Sequence, residues 1–124
     1  FYGIYDGNEL KAILVGKFVE INDSRILRIV DVLGSIEETG SLYNDFQAIL
    51  KETGSENVDF LCFGIDDAVF QRMGFDKLNP EQEQLIIPNY FEPFEAKNIV
   101  INGAYKPEER YCMFKADADQ DRPS

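Results

Sequence analysis

Apolar and polar positions alternate through the first third of the chain, then change period. Tyr2 to Tyr5 is a short apolar run. Asp6-Gly7-Asn8-Glu9 follows, and its Asp-Gly pair signals a tight turn. From Leu10 to Val19 the pattern predicts a strand with Leu10, Ala12 and Leu14 on one face and Ile13 and Val15 on the other. Ile21-Asn22-Asp23-Ser24 predicts a second turn, and Arg25 to Leu33 a third strand. That strand is nearly continuously apolar after its start, the pattern of a central strand buried on both faces. The first third is therefore expected to be a three-stranded meander.

Past Gly34-Ser35 and a loop rich in Glu and Gly, the period becomes helical. Leu42, Phe46, Ile49 and Leu50 form one stripe, with Ser41 as the expected N-cap, Asp45 in the first turns and Gly54 as the stop. Val58 to Ile65 returns to a strand. Asp66 is suited to cap a short helix, Asp67 to Met73, which Gly74 closes as a left-handed residue with Phe75 folding back. Polar residues from Asn79 to Gln84 predict a loop, and Leu85-Ile86-Ile87 a strand stopped by Pro88. Asn98 to Asn102 and Tyr111 to Lys115 are further apolar pieces, and Ala116 to Ser124 is a polar tail. The expected class is α/β (α+β): one domain over residues 1–124, with a mixed, largely antiparallel sheet in the order β-β-β-α-β-α-β. The crossover after the meander makes one pair parallel.

Charge narrows the partners. Twelve basic residues stand against 23 acidic ones, a net charge of -11. Nucleic-acid backbones and anionic membranes are repelled at long range by such a field. No apolar run approaches the ~20 residues of a membrane span. The chain has no histidine, which excludes a Ser-His-Asp or Cys-His arrangement within it and any histidine-ligated metal. Cys62 and Cys112 both lie in apolar runs and are expected to be buried free thiols. Asp117, Asp119 and Asp121 have the opening spacing of a calcium loop, but Arg122 stands where that loop needs glycine, so no metal is expected.

Few side chains remain for chemistry. Asp31 interrupts an apolar strand, where burial would favour a proton-accepting carboxylate. Its structural alternative is a carboxylate that faces solvent or pairs with Arg28 or Arg25. Glu20, at a strand end, reads as a surface charge. Tyr43 is a possible proton donor or a half-buried helix residue, and Arg72 a phosphate contact or a solvated face. Asn89-Tyr90-Phe91 with Pro93-Phe94 reads as an aromatic acceptor pocket or as packing.

Ala68-Val69-Phe70-Gln71-Arg72-Met73-Gly74-Phe75, set between a strand and a further strand, resembles the helix-end signature of GNAT-type acyltransferases. The preceding order of elements resembles the family from its second strand to its fifth, over roughly Tyr2 to Leu78. The family's first strand and first two helices would then lie upstream of Phe1. The tail from Lys115 to Pro123 resembles the ending of GNAT-like proteins of bacterial polysaccharide biosynthesis. The resemblance implies a cytoplasmic acyltransferase that takes acetyl-CoA or a related thioester. It implies a sugar amine or hydroxyl as acceptor. The donor would lie in a wedge between the strands at Arg25 to Leu33 and Val58 to Ile65. Val32, Leu33 and Gly34 would offer the strand edge, Gly40 and Ser41 the pyrophosphate contacts, and Asp31 the base. The chain departs from the family in two places. Glu37 replaces a basic or amide residue and Leu42 a small one in the phosphate loop, and Phe70 replaces a tyrosine that protonates the leaving thiolate. These departures favour two alternatives: a non-catalytic GNAT-like binding module, or one half of a FemAB-type aminoacyl transferase.

Overall fold

A computed structural model of the chain describes residues 1–81, 86, 98 and 112–118. The chain divides into two compact units, one of Phe1–Phe75 with Arg110–Ser124 and one of Asp76–Glu109. In the second unit Asn79 Oδ1 accepts the amide of Glu81 at 3.0 Å. The strand at Leu85-Ile86-Ile87, the piece at Asn98 to Asn102 and the aromatic group at Asn89 to Phe94 fall almost wholly outside the described residues. The strands and helices of the described residues all belong to the first unit.

Its elements are β1 (Tyr2–Asp6), β2 (Glu9–Ile21), β3 (Ser24–Gly34), α1 (Tyr43–Thr53), β4 (Asn57–Phe60), β5 (Cys62–Phe63), α2 (Asp67–Met73), β6 (Met113–Phe114) and α3 (Lys115–Ala118). The main sheet runs β1-β2-β3-β4, with the first two pairings antiparallel and β3–β4 parallel. β5 and β6 form a separate antiparallel pair. The class is therefore α+β with a mixed, largely antiparallel sheet. No helix among the described residues is long and apolar enough to cross a membrane.

The meander follows from its turns. Asn22 and Asp23 carry positive φ, 48° and 68°, the backbone that two-residue hairpins of right-twisted strands require and that Asn and Asp tolerate. Ile21 pairs with Ser24 across them. β2 and β3 thus run up to the turn, past the ends at Val19 and Arg25 that the sequence suggests.

Register sorts the side chains. Ile4, Ala12, Leu14, Leu27, Ile29 and Val32 share one face and form the core with Ile36, with Phe46 of α1, and with Val69 and Met73 of α2. Both helices end on left-handed glycines, Gly54 and Gly74, as their sequences predict. After Gly74, the amide of Phe75 returns to Phe70 O at 2.9 Å. The Phe75 ring then packs edge-on to Phe46, centroids 5.1 Å apart.

The opposite face of β3 and β4 holds a charge pair. Arg28 and Asp59 are register partners. Nε of Arg28 donates to both carboxylate oxygens at 3.0 Å, and Nη2 donates to Oδ2 at 2.6 Å. Arg28 is 0% exposed and Asp59 7%. Bidentate geometry and full burial make this pair the lock on a parallel pairing of only four register partners.

Three expected elements differ. The strand at Val58 to Ile65 breaks at Leu61 into β4 and β5, because β3 bulges beside it and the two no longer run together. α1 begins at Tyr43, with Leu42 as N-cap and no side-chain cap; Ser41 is not its cap. The tail opens with a helical turn, α3, where Asp117 Oδ2 accepts the amide of Phe114 at 2.8 Å in the manner of a capping box.

Replacing Arg28 alone strands a carboxylate in the interior. R28M is expected to cost about 3–5 kcal/mol in urea unfolding. The double change R28M/D59L is expected to recover most of that loss, because it removes both charges.

Candidate functional site

β3 and β4 part at the place where the donor wedge is expected. Their pairing runs from Ile26↔Asn57 to Ile29↔Phe60 and stops there, while β3 continues to Gly34. At the same point the β2–β3 register shifts from Gly16↔Ile29 to Val15↔Asp31, leaving Val30 as an extra residue on β3. An extra residue bends and over-twists its strand, which carries residues 30–34 away from the line of β4.

The direction of each backbone group on that edge follows from one bond. The amide of Ser35 donates to Lys11 O at 3.1 Å. Backbone groups of an antiparallel strand alternate in direction, and over this stretch the register is uninterrupted from Ala12↔Gly34 to Val15↔Asp31. Ser35, Leu33 and Asp31 therefore turn their amides toward β2, and Val32 and Gly34 turn theirs away from it. Of the three edge residues named from sequence, Val32 and Gly34 offer backbone to the wedge. Leu33 offers it to β2 and leaves its own side chain 54% exposed.

Asp31 is half-buried beside this edge. Its Oδ1 accepts the amide of Val32 at 2.8 Å. Neither arginine named as its alternative partner pairs with it. Arg28 holds Asp59, and Arg25 lies 3.0 Å from Glu20 Oε1, stacks its guanidinium 4.7 Å from the Phe18 centroid and donates to Thr53 O at 2.9 Å. Glu20 is exposed, the surface charge its strand-end position suggests.

Phe60 stands where the strands part. Its ring meets Phe70 at 5.1 Å, Phe75 at 6.0 Å and Phe114 at 6.2 Å. Phe70 is thus committed to apolar packing and brings no hydroxyl to the wedge.

The loop from β3 to α1 is tied at both ends. Thr39 returns to Ile36 O through its amide at 3.3 Å and its hydroxyl at 2.7 Å. From the last turn of α2, Arg72 Nη2 donates to Glu37 O at 2.9 Å. Gly74 lies so close to the Tyr43 ring that a Cβ there would strike Cδ2. These two contacts set the end of α2 beside the start of α1. The first α1 backbone bond is Phe46 N to Leu42 O, at 3.0 Å, so the amides before it are left to solvent or a ligand. Gly40 and Ser41 are exposed ahead of that end. A Cβ on Gly40 would have nothing within 4 Å, so no internal contact requires glycine there.

No protein-family model, no curated protein and no solved structure matches this chain.

Arg28–Asp59 and the Arg72 tie were not assigned from sequence. The first had a signal: a charge inside each of two apolar runs, Arg28 in Ile-Leu-Arg-Ile-Val and Asp59 in Val-Asp-Phe. Among the described residues no group of three or more His, Cys, Asp or Glu is placed to hold a metal ion. The cysteines differ from each other. Cys62 is half-buried on β5, while Cys112 is exposed, against expectation, with its Sγ 3.6 Å from Gly64 O.

Burial pushes the Cys62 thiol up from 9.0 to about 11, and Cys112 and Asp67 add to the shift. At pH 8 iodoacetamide is expected to modify Cys112 well ahead of Cys62, read by peptide mass spectrometry over a time course. The folded chain keeps the Cys62 proton where the unfolded chain gives it up. That contribution to stability is complete below pH 9 and declines as pH rises toward 11.

Proposed function

We propose that this chain carries the donor wedge of a GNAT-type acyltransferase and binds acetyl-CoA or a related thioester. The observation that carries the reading is the parting of two parallel strands at a bulge, with the Val32 and Gly34 amides on the opened edge. An extended chain with amide carbonyls at strand spacing can pair with such an edge as a further strand would. The uncapped start of α1 lies next in the chain, and the pyrophosphate suits its free amides. Arg72, tied to the carbonyl of Glu37, supplies positive charge beside a loop that Glu37 and Glu38 make acidic.

In this reading the acceptor is a sugar amine or hydroxyl, which attacks the thioester carbon. Its proton passes to the carboxylate of Asp31, the new C–N or C–O bond forms, and the C–S bond breaks with its electron pair on sulfur. The thiolate takes its proton from solvent, because Phe70 has none to give. A second reading, a GNAT-like module that binds the thioester without turnover, is favoured by that missing hydroxyl.

Calorimetry with acetyl-CoA tests both. Micromolar binding is expected, with a thermal-stability gain of about 2.7 kcal/mol at roughly 100 times Kd. Since Gly40 has open space around it, G40W is expected to fold normally and bind at least about tenfold more weakly, a loss of ~1.4 kcal/mol. Absence of binding at millimolar acetyl-CoA would refute the donor assignment. Binding with no release of free thiol in the presence of amino sugars would favour the module.

A further inference from the structure

The edge of β3 that faces away from β2, past the end of the β4 ladder, is partly occupied by the protein itself. Of its two wedge-facing amides, that of Val32 already donates to Oδ1 of the preceding residue, Asp31, at 2.8 Å. A ligand carbonyl reaching this amide has to replace a carboxylate, which is the stronger acceptor. We propose that Asp31 is an intramolecular gate on the wedge: its carboxylate holds the Val32 amide in the free protein and leaves it when a carbonyl of an acyl thioester takes the place. The proposal rests on the acyl-CoA reading above.

Three features make the carboxylate releasable. The two arginines of its own strand are engaged elsewhere, Arg28 with Asp59 and Arg25 with Glu20 and Thr53. The side chain is half-buried, so it reaches water by rotation about its own Cα–Cβ bond. It also follows Val30, the extra residue, so the β4 ladder does not continue past it to claim the same amide. Release has a chemical consequence. The carboxylate set free by the arriving carbonyl stands one residue from it, where it accepts the proton of the attacking amine or hydroxyl. Donor binding thereby produces the base that the donor's reaction needs.

A gate and a simple base differ in sign. Loss of a base leaves donor affinity unchanged, whereas loss of a gate raises it. Acetyl-CoA affinity is to be measured for the wild type, D31A and D31N, together with amide hydrogen exchange at Val32 without ligand. D31A is expected to bind acetyl-CoA about three- to tenfold more tightly and to exchange the Val32 amide faster. D31N keeps a neutral acceptor and should fall between. Equal or weaker affinity in D31A beside a binding wild type would overturn the gate alone, as would unchanged Val32 exchange. No binding by wild type or D31A would overturn the acyl-CoA reading and the gate with it.

Discussion

A guanidinium and a carboxylate shielded from water hold the sheet together at its weakest seam. β3 and β4 are parallel, join through a helical crossover and share only four register partners. Parallel pairing is slightly weaker per residue than antiparallel pairing. Arg28 and Asp59 face each other in that seam and satisfy each other through three close contacts. Any slip of β4 along β3 separates them and breaks a buried ion pair, a state several kcal/mol higher. The pair therefore fixes the register of Phe60 against Ile29, and with it the position of the aromatic cluster and the place where the strands part.

The wedge depends on that seam ending where it does. Val30 gives β3 one residue more than β2 can match. The ion pair sits two residues before it, and the Val32 amide, held by the Asp31 carboxylate, two residues after. Tightly held backbone thus passes within a few residues into backbone that the β4 ladder does not engage. The loop beyond is braced by Arg72 and by the Tyr43 ring on Gly74 rather than by caps of its own. In the proposed function this division is useful, since one end of β3 must stay fixed while the other accepts a ligand.

How much of this the sequence discloses depends on how local each cause is. The meander, α1 and α2 were legible because period-two and period-3.6 patterns and cap chemistry lie within a few residues: Asp66 accepts the amide of Ala68, and Gly54 and Gly74 stop their helices. The break at Leu61 was not legible, since its cause is an extra residue on another strand. Arg28 and Asp59 were each visible as charges in apolar strands, but matching them needs the β3–β4 register, 31 residues apart in sequence. Asp31 was recognised as unusual for its setting, while its partner, the amide beside it, follows from which way the ladder faces. That same alternation separates Val32 and Gly34 from Leu33, a distinction hydropathy does not contain.

β6 and α3 have a consequence for the order of assembly. Phe114 packs on Phe60 and pairs with Cys62, yet it is synthesised more than fifty residues after either. A nascent chain carrying only residues 1–75 can form the meander and cover it with α1 and α2, but one edge of β5 and one side of Phe60 stay bare until the C-terminal segment leaves the ribosome. During that interval the unit exposes an unpaired strand and an aromatic ring together, the kind of surface that chaperones bind and that promotes aggregation. Its final closure therefore waits on the synthesis of the segment between.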